Sequence, residues 1–247
     1  MGQKYIVNRV PTGIEGFDEL VEGGFPENSV ILLAGTPGTG KSIFSLEYIY
    51  NGAISGDAGV YITFEQTIND LKEQALQFRW DFENLDDRVK LKEIVALSME
   101  DVMKTINKLV KEIGAKRLVI DSFTGMLALL SVHEFIEADM LAGRGGNVGI
   151  APPTRGVLKN KVWTIFKQFK DLNCTTLIPI EIPVGTDRLT DDGVTEFLSD
   201  GVVVLRSSPM GIMGKRTLTI HKMRKTRVDP APRGFDFTES GIVMMKK

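Results

Sequence analysis

Residues Gly35-Thr36-Pro37-Gly38-Thr39-Gly40-Lys41-Ser42 satisfy the spacing G-x-x-x-x-G-K-[ST], between an apolar run, Ser29 to Ala34, and an amphipathic segment that opens at Lys41. Such a motif demands a strand that delivers the chain into a glycine turn and a helix that leaves it. The glycines let successive backbone N–H groups converge, and the helix start adds its partial positive charge. Lys41 contributes a cation, and Ser42 a hydroxyl suited to Mg²⁺. The motif therefore predicts a phosphate-binding loop in which Thr36, Pro37, Gly38, Thr39, Gly40, Lys41 and Ser42 surround a nucleoside triphosphate. The plainer alternative is a glycine turn before an ordinary helix.

The rest of the chain repeats that alternation. A capping-box spacing, Thr12 and Glu15, predicts a short helix through Leu20, stopped by Gly23, Gly24 and Pro26. After the helix from Lys41 to about Asn51 come a strand, Gly59 to Phe64, and a helix, Ile68 to Phe78. A strand, Val89 to Val95, then leads through Ser98 and Asp101 into a helix with Val102, Ile106, Leu109, Val110 and Ile113 on one stripe. The strand Arg117 to Asp121 follows, then a helical stretch Met126 to Asp139 and a glycine-rich loop closed by Pro152 and Pro153. A helix carrying Leu158, Val162, Ile165, Phe166 and Phe169 returns the chain to the strand Thr175 to Ile180. From Val202 short alternating strands separated by turns predict antiparallel hairpins added to the sheet edge. The expected fold is α/β: a P-loop domain spanning 1–247, with a mostly parallel sheet flanked by helices, an entry segment at 1–28, a loop insertion at 139–157 and a hairpin region at 202–247. Trp80 and Trp163 fall at apolar helical positions and are expected in the core.

Two acids stand at the carboxyl ends of predicted strands, where open α/β sheets bind ligands. Asp121 ends Leu118-Val119-Ile120 and suits a Mg²⁺ ligand, or else caps the next helix. Position 122 is Ser, where AAA+ chains usually carry a water-activating Glu. Glu65, after Tyr61-Ile62-Thr63-Phe64, can take that part as a general base, an effect worth about 10²- to 10⁴-fold, or it is a solvated loop acid beside Gln66.

Several stretches together resemble the KaiC-type domains of the RecA superfamily, most of all single-domain archaeal KaiC-like ATPases. They are Val10-Pro11-Thr12-Gly13-Ile14 through Phe17-Asp18-Glu19-Leu20, Gly23-Gly24-Phe25-Pro26, the phosphate loop, Thr63-Phe64-Glu65, Phe78-Arg79-Trp80-Asp81, Glu196-Phe197-Leu198-Ser199-Asp200-Gly201, and Lys222-Met223-Arg224-Lys225-Thr226. The resemblance implies a RecA-type fold and a homo-oligomeric ring, commonly a hexamer, that hydrolyses Mg²⁺-ATP between subunits. It also implies that Glu65 is the catalytic glutamate and that Lys222 and Arg224 reach the neighbouring subunit's phosphates. Two departures stand out: Gln66 where a second glutamate is frequent, and Arg79 where the family usually has Gly. Independently, ten Lys and Arg face three acids between Arg206 and Lys247, a local net charge of about +7 that calls for an anion. The plain alternative is a solubilising charged hairpin.

Overall charge narrows the choice of partner. Thirty Lys and Arg against 32 Asp and Glu leave a formal net charge of -2, so there is no global field for nucleic acid or acidic lipid. One Cys and two His exclude an intramolecular disulfide and a His/Cys metal cluster. No uncharged run approaches the ~20 residues of a membrane span, and the expected location is the cytoplasm. A RadA-like DNA-binding ATPase is the second reading. It uses Arg144 in its glycine loop and the segment Val184 to Val194, where three Asp against one Arg and no aromatic argue the other way. A regulatory switch with an unidentified protein partner is the third. His133 and His221 receive no role.

Overall fold

The apolar run before the phosphate loop lies inside the sheet, not at its edge. A computed structural model describes residues 6–95, 98–128, 155–183, 188–190, 193–208 and 215–245. Its elements are β1 (Arg9–Val10), β2 (Phe25–Pro26), β3 (Val30–Gly35), α1 (Lys41–Ile54), β4 (Gly59–Thr63), α2 (Ile68–Leu76), β5 (Val89–Glu93), α3 (Met99–Ile113) and β6 (Arg117–Asp121), followed by α4 (Arg155–Asp171), β7 (Thr175–Glu181), α5 (Thr195–Leu198), β8 (Gly201–Ser208), β9 (Lys215–Met223), β10 (Arg233–Thr238) and β11 (Gly241–Met244). The main sheet has nine strands in the order β11-β10-β9-β8-β3-β7-β6-β4-β5. From β8 to β5 neighbouring strands run parallel; β8 to β11 pair antiparallel.

Strands buried on both faces alternate their side chains between two cores. In β3, Ile31 and Leu33 pack with α1, α2 and the hairpin strands, whereas Val30, Leu32 and Ala34 pack with α3 and α4. Helix ends follow their local sequences. Thr67 and Asp70 form a complete capping box before α2, and Ser98 accepts the Asp101 N–H before α3, which ends on Gly114 in the left-handed conformation. Beyond Asp121, helix continues over 123–128, the described start of the predicted Met126 to Asp139 stretch. The glycine loop, His133 and most of Val184 to Val194 lie outside the described residues.

Three expectations need correction. Thr12 and Glu15 form no capping box: the short helix at Asp18–Val21 is 3-10, with no side-chain cap. Instead the Asp18 carboxylate accepts the Thr12 N–H and hydroxyl, both at 2.8 Å, and the Gly13 N–H at 3.0 Å. An acid inside the helix serves the preceding turn because that turn's donors have no strand partner. Trp163 is 55% exposed, with the Lys167 ammonium 5.8 Å from its ring centroid. On α4 the buried side is held by Val162, Ile165, Phe166 and Phe169, which leaves Trp163 outward, while Trp80 is buried as expected. Finally, the first of the C-terminal strands is no edge hairpin strand. Val202 to Leu205 is an unbroken buried run, and β8 pairs parallel with β3.

Candidate functional site

The carboxyl ends of β3, β6, β4 and β7 open on one crevice, where the parallel strand order reverses around β3. At its floor the chain turns from β3 into α1 through Gly40, whose φ is 102°. A Cβ there would sit 2.4 Å from Phe237 Cζ, so both backbone and space require glycine. No side chain caps the start of α1. Its first amides stay available to an anion, the arrangement that a helix N-terminus offers phosphate.

Lys41 folds back over the loop, its Nζ donating to the Gly35 carbonyl at 2.8 Å and the Thr36 carbonyl at 3.1 Å. Burial lowers the ammonium's pKa, while Glu181, Asp121 and Glu65 pull it up. Ser42, one residue on, lies beside the Asp121 carboxylate and favours its charged form. Burial pushes Asp121 above the usual carboxylate range, opposed by the Tyr61 hydrogen bond and the neighbouring Ser42 hydroxyl. Glu65 follows β4 and accepts from the Ser122 hydroxyl, which also takes the Gly125 N–H at 3.0 Å. A Cβ on Gly125 would lie 2.9 Å from Glu65 Oε1, so the chain passes close to this carboxylate. Lys41, Ser42, Asp121 and Glu65, predicted from separate stretches of sequence, thus share one place.

An adjoining cavity of about 410 Å³ is bounded by Gly40, Lys41 and Ser42 on one side and by Gln74, Arg216 and Phe237 on the other. The Arg216 guanidinium lies 4.6 Å from the Phe237 ring centroid. Arg216 Nε and Gln74 Oε1 are buried polar atoms with no hydrogen-bond partner.

Lys222 and Arg224 do not join this crevice. In register, Leu205 stands beside Gly35 and opposite Leu218, while Val202 stands opposite Lys222. The pair therefore lies toward the amino ends of the parallel strands. Lys222 Nζ donates to the carbonyls of Glu196 (3.1 Å), Phe197 (3.2 Å) and Ser199 (2.6 Å); burial and the neighbouring Arg224 lower its pKa. Arg224 donates to Asp200 Oδ1 at 3.0 Å, beside Lys170 at 3.1 Å. Phe197 is 70% exposed next to them.

The profile of one protein family, described as "ATPase: KaiC", matches residues 10–140 and 150–247. The chain belongs to the KaiC ATPase family. Among its KaiC relatives, the circadian clock oscillator protein KaiC of Prochlorococcus marinus is 30% identical over 254 residues, 98% of this chain and 46% of that protein. The chain thus spans about half the length of such relatives. A UPF0273 protein of Pyrococcus furiosus is 28% identical over 258 residues, covering 97% of this chain and 94% of that one. The crystal structure of a KaiC-like protein from Pyrococcus horikoshii superposes with a TM-score of 0.82 at 32% identity, over 98% of this chain and 100% of that one. The KaiC-type, RecA-like fold is therefore established, with its mostly parallel sheet and antiparallel C-terminal strands.

Three groups around the KaiC-type crevice escaped the sequence reading. Glu181 ends β7, and its placement beside Lys41 needs the order β3-β7-β6; an acid closing a seven-residue strand was the available signal. Tyr61 sat in an apolar run that reads as core. Ser122 stood out only as the missing Glu. Arg79, where the family usually has Gly, adopts φ 62°, which explains why Gly suits that place. No helix among the described residues is long and apolar enough to cross a membrane.

Proposed function

We propose that the chain is a Mg²⁺-dependent ATP hydrolase of 1–247 whose sites lie between the subunits of a homo-oligomeric, hexameric ring, and whose cycle serves regulation. The carrying observation is the convergence of Lys41, Ser42, Asp121 and Glu65 from separate elements on one crevice. The uncapped start of α1 and the backbone N–H groups of residues 38–42 hold the β- and γ-phosphates of ATP, and afterwards ADP. Lys41 leaves the Gly35 and Thr36 carbonyls to neutralise them.

The donors fit Mg²⁺. Ser42 and Asp121 offer hard oxygens, and among the described residues no group of three His, Cys, Asp or Glu side chains gathers to hold a metal without a substrate's help. When bound, Mg²⁺ would screen charge on the transferred phosphate. Glu65, steadied by the Ser122 hydroxyl, orients and deprotonates the attacking water. Arg216, Phe237 and Gln74 present a cationic and aromatic wall with unpaired polar atoms for the base. Lys222 and Arg224, remote in register from their own loop, serve the neighbour's phosphates.

Solution mass measured with and without Mg²⁺-ATP tests this directly. A nucleotide-stabilised ring that releases phosphate is expected; a monomer that binds and hydrolyses ATP unaided would overturn the composite site.

A further inference from the structure

Asp121 has a partner that phosphate binding does not require. On β4, Tyr61 stands opposite Val119 of β6. Asp121, two residues beyond Val119, is its diagonal neighbour on the same face, within reach of an aromatic side chain. The ring is fully buried in the core against α1. Its hydroxyl donates to Asp121 Oδ2, with the Ser42 hydroxyl beside both groups. Phenylalanine would fill the same space without a hydroxyl to desolvate, so packing alone does not account for a tyrosine here.

We propose that Tyr61 is a positioning residue that reserves one oxygen of Asp121, restricting the carboxylate to one-oxygen or water-mediated contact with a divalent cation and so favouring Mg²⁺ over Ca²⁺. The inference rests on the reading of Asp121 as a metal-binding group. Mg²⁺ is held in a tight octahedral shell by one or two carboxylates, waters and phosphates, whereas Ca²⁺ takes six to eight oxygens and accepts bidentate carboxylates. With Oδ2 engaged by a buried phenol, the bidentate mode is disfavoured, because one of that oxygen's two lone pairs is already taken. Tyr61 acts through Asp121 and touches neither the nucleotide nor the attacked phosphorus.

Calorimetric titration of AMP-PNP into the full chain, with Mg²⁺, with Ca²⁺ and with EDTA, tests the idea without reference to turnover. The wild-type protein is expected to bind the analogue more tightly with Mg²⁺ than with Ca²⁺. Tyr61→Phe is expected to narrow that ratio about 3- to 10-fold, the worth of one hydrogen bond, and to leave binding in EDTA unchanged. Asp121→Asn is the control and should remove most of the metal dependence. If the control keeps the full dependence, the reading of Asp121 fails. If the control loses it while Tyr61→Phe retains the wild-type ratio, the Tyr61 proposal alone is overturned. A hydroxyl that is merely structural would weaken binding equally in all three conditions, and that result also overturns it. Should Tyr61→Phe not fold, Tyr61→Leu is read by the same criteria, and equal support by Ca²⁺ and Mg²⁺ in the wild type refutes the proposal outright.

Discussion

The two ends of the parallel strands carry opposite kinds of polar cluster. At the carboxyl ends, Glu65, Asp121 and Glu181 surround Lys41, and the start of α1 is left uncapped. At the amino ends, Lys222 and Arg224 are occupied by carbonyls of 196–199 and by Asp200. Burial pushes the Asp200 carboxyl up, but the Val30 N–H, Lys170 and Arg224 together hold it below the usual range. The first cluster is arranged to receive an anion and a cation, while the second is satisfied by its own chain. The fold of one chain thus separates the basic pair from the phosphate-loop crevice, the arrangement that the proposed site between subunits requires.

That contrast can be broken most forcefully at the basic end. Arg224→Ala is expected to lower steady-state hydrolysis about 10³-fold or more while nucleotide binding persists. Mixing these subunits with Glu65→Gln subunits should restore activity at interfaces that combine both intact residues. No recovery in the mixture would place the arginine's effect within its own subunit. At the other end, Glu65→Gln should cost about 10²- to 10⁴-fold in kcat with little change in ATP affinity by calorimetry. Wild-type turnover in that variant would remove Glu65 from the base role.

The seam between α1 and the hairpin offers a sharper, smaller test. Glu47 is 4% exposed and accepts the Ile242 N–H at 2.9 Å. Burial raises its pKa from 4.5 to about 8, against the Ile242 and Asn51 hydrogen bonds. Between those values the native state holds a proton that the unfolded chain has lost, so this group's contribution to stability falls as pH rises from about 4.5 to 8. Glu47→Gln keeps an acceptor for Ile242 and removes the titration. Urea unfolding across that window should show a flatter profile for the variant, by up to about 4 kcal/mol. Superimposable pH profiles would exclude Glu47 as the cause. Smallest of all, Arg79→Gly should relieve the left-handed backbone and raise stability by about 0.5–1 kcal/mol, since the exposed Glu239 pair contributes little. Unchanged or lower melting would show that the Arg79 side chain matters more than its backbone.

Much of the site was legible because its chemistry is local or sits at strand ends. A phosphate loop is a contiguous string whose glycines, lysine and serine meet without help from distant residues. Asp121 and Glu65 were legible because an acid that closes an apolar strand points toward the ligand edge of a parallel sheet. Trp163 departs from its expected burial because a helical stripe needs its phase settled by what packs on it, and Val162, Ile165, Phe166 and Phe169 take the buried side. The edge placement expected for the strand Val202 to Arg206 fails because a short apolar strand followed by turns does not reveal its partner.

By itself the sequence determined the alternation of strands and helices, the glycine loop with its phosphate-binding spacing and the acids at two strand ends, because each depends on neighbours within a few residues. Only the tertiary structure decided that β8 lies parallel beside β3, that Glu181 and the buried Tyr61 hydroxyl reach Lys41 and Asp121, and that Lys222 and Arg224 stand at the other end of the strands from their own loop. Strand order and register bring together residues tens of positions apart, and the free energy that selects them comes from burying whole faces of the sheet, which no local pattern encodes.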